Sequence, residues 1–202
     1  MLTRYQQELL KDVGAPSDGY GQPIAAWKGS ELFFKSDRAT GVLTPLPADL
    51  ARTFVDGVYI LLKTRRSISV YRGYETKGLE APFGKEHASF IQNLVSKRQP
   101  GKPDGMWWTP TRPAKSIDDL KLPSMHRAED RAGGAIKLEW NRLDFYVEGE
   151  LPAGSVIYVG RAAPQQESAA YGGGQYDGGV YQFRLTDSPE RTIRALMHHR
   201  AI

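Results

Sequence analysis

The sequence predicts an α+β fold, and three observations carry that expectation. Apolar residues recur at helical spacing early in the chain, strand-like runs gather later, and Gly and Pro separate nearly all of those runs. A length of 202 residues suits one core. Hydrophobic residues make up 40% and charged residues 25%, an ordinary globular balance that argues against general disorder and against a membrane protein.

The elements follow in chain order. In "LTRYQQELLKDVG", Thr3 and Gln6 have capping-box spacing, Leu9 and Leu10 supply apolar contacts, and Gly14 can end a helix whose expected role is docking. "APSDGYGQPIAAWKGS" is rich in Gly, Pro, Ser and Asp and reads as loop or linker. Residues 1–30 are therefore expected to form an N-terminal helix and linker, and residues 31–202 the compact domain. "PADLARTFVDGVYILLKTRR" spaces Leu50, Phe54, Val58, Leu61 and Leu62 as a helix would and gives the best helical signal in the chain. "SISVYRG" reads as a strand, and "EHASFIQNLVSK" returns to a helical pattern. Strands are then expected at "GMWWTPT", "AIKLEW", "DFYVE", "SVIYVG" and "VYQFRL". "DSPERTIRALMHHR" predicts a closing helix, with Ser188 as N-cap, Pro189 in the first turn, and Ile193, Leu196 and Met197 on one face.

Composition narrows the chemistry. A net charge of +4 favours anionic partners such as nucleotides, RNA or acidic protein surfaces. With no cysteine there is no disulfide framework, thiolate metal site or thiol nucleophile. His87, His126, His198 and His199 lack metal-binding spacing, so no metal is expected. "YGGGQYDGG" lacks the lysine and helix start of a phosphate-binding loop and reads as a flexible loop, with a mobile rim over the cleft as a further role open to it. No apolar run approaches a bilayer span, and the first residues mix Arg, Gln, Glu and Lys among their apolar ones, unlike a signal peptide.

Three stretches carry the candidate chemistry. In "VYRGY", Arg72 offers a rigid fork of donors matched to phosphate oxygens, and the glycine after it lets a ligand approach the backbone. The plain alternative is an exposed cation at a strand edge. In "MWWTPT", alternation sends Trp107, Thr109 and Thr111 to one face and Trp108 to the other, so one indole is expected in the core and one beside a cleft. The threonines would orient a carboxylate, or simply end a buried strand. In "FYVEGELPAGSVIYVG", Glu148 and Glu150 share a strand face. They are either two solvated acids, or one of them holds a ribose hydroxyl and stabilises positive charge at an anomeric carbon.

In that order, the arginine, hydroxyl and glutamate stretches resemble the arginine-serine-glutamate class of mono-ADP-ribosyltransferase toxins and effectors, over roughly residues 67 to 185. Arg72 matches the motif arginine, and Thr109 and Thr111 the hydroxyl motif, with Pro110 in place of its central Thr. Glu148, six residues ahead of Gly154, matches the glutamate. The chain departs from the pattern in having Thr for the leading Ser, Tyr146 two residues before Glu148, and a short interval from arginine to glutamate. "YGGGQYDGGVYQFRL" is similar to the Gly-Gly-x-Gln stretch of NAD-glycohydrolase toxins, which leaves Gln175 and Gln182, as well as Glu150, open as the third motif residue. Certain type III secreted plant-pathogen effectors also resemble the chain, but Gly160 and Arg161 stand where they carry an aspartate.

The resemblance implies a split β-sandwich with NAD in its cleft and Arg72 bracing the phosphates. Arg72, Thr109 and Glu148 would form the catalytic set, with Gly73, Tyr74, Trp108, Thr109, Thr111 and Gln182 also lining NAD. It implies a secreted or injected NAD-dependent mono-ADP-ribosyltransferase that acts in a target-cell cytoplasm on a macromolecular acceptor, with an immunity protein or chaperone as further partner. Two alternatives stay open: an NAD glycohydrolase of related fold, and a catalytically inert effector that binds a host protein or RNA.

Overall fold

The structure, a computed structural model, describes residues 2–40, 42–74, 106–110, 145–166 and 175–200. Helix α1 (Arg4–Gly14) forms as its sequence predicts. The Gln6 amide donates to Thr3 Oγ1 at 3.2 Å and the Thr3 amide to Gln6 Oε1 at 2.8 Å, closing the capping box. Its last turn leaves carbonyls without internal partners, and Arg65 Nη1 donates to those of Gly14 and Ala15 at 3.1 and 3.3 Å. Leu9 and Val13 are buried, so the helix docks as expected.

The molecule is mixed α+β and built mostly of antiparallel sheet. Its strands are β1 (Gly21–Lys28), β2 (Glu31–Lys35), β3 (Val58–Thr64), β4 (Ile68–Tyr74), β5 (Trp107–Trp108), β6 (Phe145–Leu151), β7 (Val156–Arg161), β8 (Gln165–Gln166), β9 (Gln175–Tyr176), β10 (Tyr181–Leu185) and β11 (Arg194–Arg200). A six-stranded sheet runs β2-β1-β3-β7-β10-β5, a three-stranded sheet runs β11-β6-β4, and β8 pairs with β9. The expected strands over "SISVYRG", "DFYVE", "SVIYVG" and "VYQFRL" are therefore present, while "GMWWTPT" contributes only the short β5 and a bridge at Thr109.

Three expectations need correction. The strongest helical signal resolves into a single helical turn α2 (Ala48–Ala51), a 3-10 turn (Val55–Gly57) and strand β3. Val58, Tyr59, Ile60 and Leu62 are buried because β3 lies inside the six-stranded sheet with both faces covered. A strand in that setting is apolar throughout and loses its period-two signature. The closing helix shrinks to α3 (Pro189–Thr192), with Ser188 and Pro189 in the predicted places, and residues from Arg194 pair with β6 instead. The loop reading of "APSDGYGQPIAAWKGS" fails from Gly21 onward, where β1 pairs with both β2 and β3. Pro23 is accommodated at a register shift between Pro23 and Ala25. Glu31, the expected start of the compact domain, is the first residue of β2, directly after the turn from β1. The expected helix "EHASFIQNLVSK" and strand "AIKLEW" lie outside the described residues.

The six-stranded sheet is packed on both faces. Its inner face carries Ala26, Ile60, Leu62, Val159, Phe183 and Trp108, and one core joins them to Leu9 and Val13 of α1 and to Ile68, Val70 and Leu151 of the three-stranded sheet. Its outer face carries Trp27, Tyr59 and Tyr158 beneath the segment from Leu43 to Phe54. Tyr59 anchors that cover, accepting from the Leu46 amide at 2.8 Å and donating to the Gly29 carbonyl at 2.7 Å.

The two sheets are tied at one corner and along one edge. Between β3 and β4 and between β6 and β7 the chain passes from one sheet to the other side by side. Thr64 binds the crossings together: Oγ1 donates to the Pro152 carbonyl at 2.7 Å and accepts from the Ser155 amide at 3.0 Å. At the far edge, Thr109 exchanges two backbone hydrogen bonds with Tyr71, of 2.8 and 2.9 Å, so the strand that ends the larger sheet meets the strand that ends the smaller one.

Candidate functional site

Register decides which candidate side chains can meet. In an antiparallel pair, directly opposed residues share a face and the next residue along turns to the other. Strand β4 pairs with β6 so that Tyr71 opposes Glu148 and Arg72 opposes Val147. The bridge opposes Tyr71 to Thr109. One step beyond the β5–β10 pair Trp108–Phe183, Thr109 comes level with Gln182, and its Oγ1 donates to the Tyr181 carbonyl at 3.0 Å. Glu148, Tyr71, Thr109 and Gln182 thus form a row across β6, β4, the end of β5 and β10, on the face that continues the outer face of the larger sheet.

The row is polar and sheltered. Tyr71 is only 6% exposed, and its Oη donates to Glu148 Oε1 at 3.3 Å. Glu148, Thr109 and Gln182 are half-buried. Glu150, one register step nearer the corner and opposite Ser69, is exposed and accepts from Ser67 Oγ at 3.1 Å. Between the two acids, Glu148 has the shielded environment that a working carboxylate needs, and Glu150 the solvated one.

The expected meeting of Arg72, Thr109 and Glu148 on one surface is corrected for the arginine. Thr109 and Glu148 share the row. Arg72 leaves β4 on the opposite face, the one that carries Ile68 and Val70, because it is the next residue after Tyr71. Trp108, expected beside a cofactor, turns the same way as Arg72 and is 5% exposed within the core. The predicted alternation of the two indoles holds, with Trp107 half-buried on the outer face, 5.5 Å from Phe54. Gly73 and Tyr74 continue β4 opposite Tyr146 and Phe145. Gln175 is exposed and pairs with Gln166 between β8 and β9, apart from the strands of the row. Thr111 lies outside the described residues.

Sequence reasoning missed Tyr71. It was legible as the residue before Arg72 that must take the face Arg72 does not, but only once the partner of β4 and the register were known. A second cluster, on the inner face, was also missed. Asp12 of α1 accepts from Tyr181 Oη at 3.1 Å and pairs with Arg161 Nη2 at 3.3 Å, and the Arg161 guanidinium lies 5.0 Å from the Tyr181 ring. Tyr20 packs edge-on against Tyr181 and Phe183. Burial pushes the Tyr20 phenol up to about 12, with Tyr181 adding to the effect. These groups fasten α1 and the loop after it to β7 and β10.

Among the described residues, no three His, Asp or Glu side chains gather as a metal site would require, and no helix is long and apolar enough to cross a membrane. No protein-family model, curated protein or solved structure matches the chain.

Proposed function

We propose that this chain is an NAD-dependent mono-ADP-ribosyltransferase with a split β-sandwich of that enzyme type, acting as a secreted or injected toxin or effector. The single observation that carries the reading is the row of carboxylate, phenol, hydroxyl and carboxamide formed by Glu148, Tyr71, Thr109 and Gln182. The two antiparallel sheets that share one core and meet at the Tyr71–Thr109 bridge support the fold part of it.

The row suits a sugar. A half-buried carboxylate accepts from ribose hydroxyls, and neighbouring hydroxyl and amide groups both donate and accept. Bound NAD supplies an N-glycosidic bond whose cleavage builds positive charge at the anomeric carbon. Glu148 then offers a negative charge fixed before the reaction starts, in surroundings less polar than water, where it acts more strongly. Arg72 departs on the other face of β4, so this reading gives it no place at the charged centre. ADP-ribose passes to a macromolecular acceptor in the target-cell cytoplasm, and an immunity protein or chaperone is a fitting partner for such a chain. The presence of Gln182 in the same row favours, as second reading, an NAD glycohydrolase, in which water is the acceptor.

Incubation with labelled NAD tests this. The wild type is expected to release nicotinamide, and Glu148→Gln to lower kcat by about 100-fold or more with KM little changed. Label on a macromolecule identifies the transferase, and free ADP-ribose alone the glycohydrolase. A wild type that binds NAD without turnover rejects both.

A further inference from the structure

We infer that Tyr71 is a positioning residue for Glu148: it fixes the direction in which the carboxylate points and so sets how well the row stabilises charge. The inference rests on the NAD reading above but assigns a duty to a residue that the motif resemblance leaves unassigned.

Four observations converge on it. Tyr71 and Glu148 are directly opposed in the β4–β6 ladder, so their side chains rise side by side from one face. Tyr71 Oη donates to Glu148 Oε1 at 3.3 Å. The Tyr71 backbone is held from the other side by its paired hydrogen bonds to Thr109. The ring is 6% exposed, on a strand face where Ser69 and Glu150 are exposed, so neighbouring atoms restrict its tilt and the position of its hydroxyl. A glutamate has three rotatable side-chain torsions, and a carboxylate that wanders loses the benefit of being oriented in advance. Glu150 shows the contrast: it is exposed and accepts from the hydroxyl of Ser67, itself exposed at the corner.

The test is Tyr71→Phe, which keeps the ring and removes only the hydroxyl. Nicotinamide release from NAD is expected to fall in kcat by about 10- to 100-fold, the scale at which misplacing a group acts, while KM changes less than about threefold. A loss of fold would also lower the apparent kcat at unchanged KM, so the melting temperature and the folded fraction at the assay temperature are measured alongside and must match the wild type. A double-mutant cycle with Glu148→Asp separates positioning from mere stability. The shortened acid no longer reaches the phenol in the same way, so Tyr71→Phe is expected to cost less than about threefold in that background. Equal costs in both backgrounds, or a Tyr71→Phe enzyme within twofold of the wild-type kcat, overturn the inference while leaving the NAD reading intact. A wild type without turnover overturns both.

Discussion

Thr64 is 3% exposed, and its one hydroxyl serves two backbone groups that nothing else in its own strand could reach. Its amide and carbonyl are also committed to the same turn, donating to Ser155 and accepting from Gly154, both at 2.9 Å. The turn between β6 and β7 is thus held by one residue of β3, and the distance along β6 from that turn to Glu148 is set with it. Thr64→Val keeps the shape and removes the hydrogen bonds. The Ser155 amide then keeps only its longer hydrogen bond to the Pro152 carbonyl, at 3.3 Å, and that carbonyl also keeps Ser155 Oγ at 2.8 Å. Both groups keep a partner, so the expected loss is about 0.5–1.5 kcal/mol, the ordinary net worth of a hydrogen bond. Urea unfolding checks it as a lower midpoint at unchanged slope.

Among the elements, local signals and tertiary pairing contend. The residues from Leu50 to Leu62 satisfy a helical period, yet Asp56 and Gly57 in their midst have φ of 54° and 66°, a left-handed pair that starts a strand and cannot continue a helix. The dipeptide was readable as a turn, but the five apolar residues outweighed it. Gly57→Ala places a Cβ in a backbone conformation unfavourable to it, and a loss of about 1–2 kcal/mol is expected from thermal melts. Residues Arg194–Arg200 failed differently: Arg, Ala, Leu and Met favour helix by themselves, and pairing with β6 prevails. Strands announced by alternating apolar residues and closed by Gly or Pro were legible, as was α1 with its capping box. At the site, the strand around Glu148 and the alternation of Trp107 and Thr109 against Trp108 were legible, while the shared surface of Thr109 and Glu148 followed only from the resemblance. The orientation of Arg72 was not legible, because it depends on which residue of β6 lies opposite, a matter of register between segments more than 70 positions apart.

The whole molecule depends on the six-stranded sheet being covered on both sides, and tyrosines line the two covers. Tyr5 of α1 and Tyr20 lie at the inner face, and Tyr59 is 0% exposed at the outer one. Burial pushes all three phenols up to about 12; Arg161 opposes the shift at Tyr5, and the hydrogen bond from the Leu46 amide opposes it at Tyr59. In the unfolded chain each phenol ionises near 10. The sign follows from proton binding. Below pH 10 both states hold the protons, and the contribution of the buried neutral phenols is fully present. Between about 10 and 12 the unfolded chain gives up protons that the folded one keeps, so stability falls as pH rises, until the folded phenols ionise as well. The melting temperature is therefore expected to decline steeply from about pH 10 upward. Phenolate absorbance should rise in two stages, exposed tyrosines first and the buried ones only with unfolding. Tyr59→Phe is destabilising at neutral pH, because it leaves the Gly29 carbonyl and Leu46 amide without the phenol, but it removes one of the linked protons. Its stability curve should therefore be lower and also shallower above pH 10 than that of the wild type. A parallel curve would mean that Tyr59 ionises in the folded protein as freely as in the unfolded one, and that the outer cover does not exclude water from it.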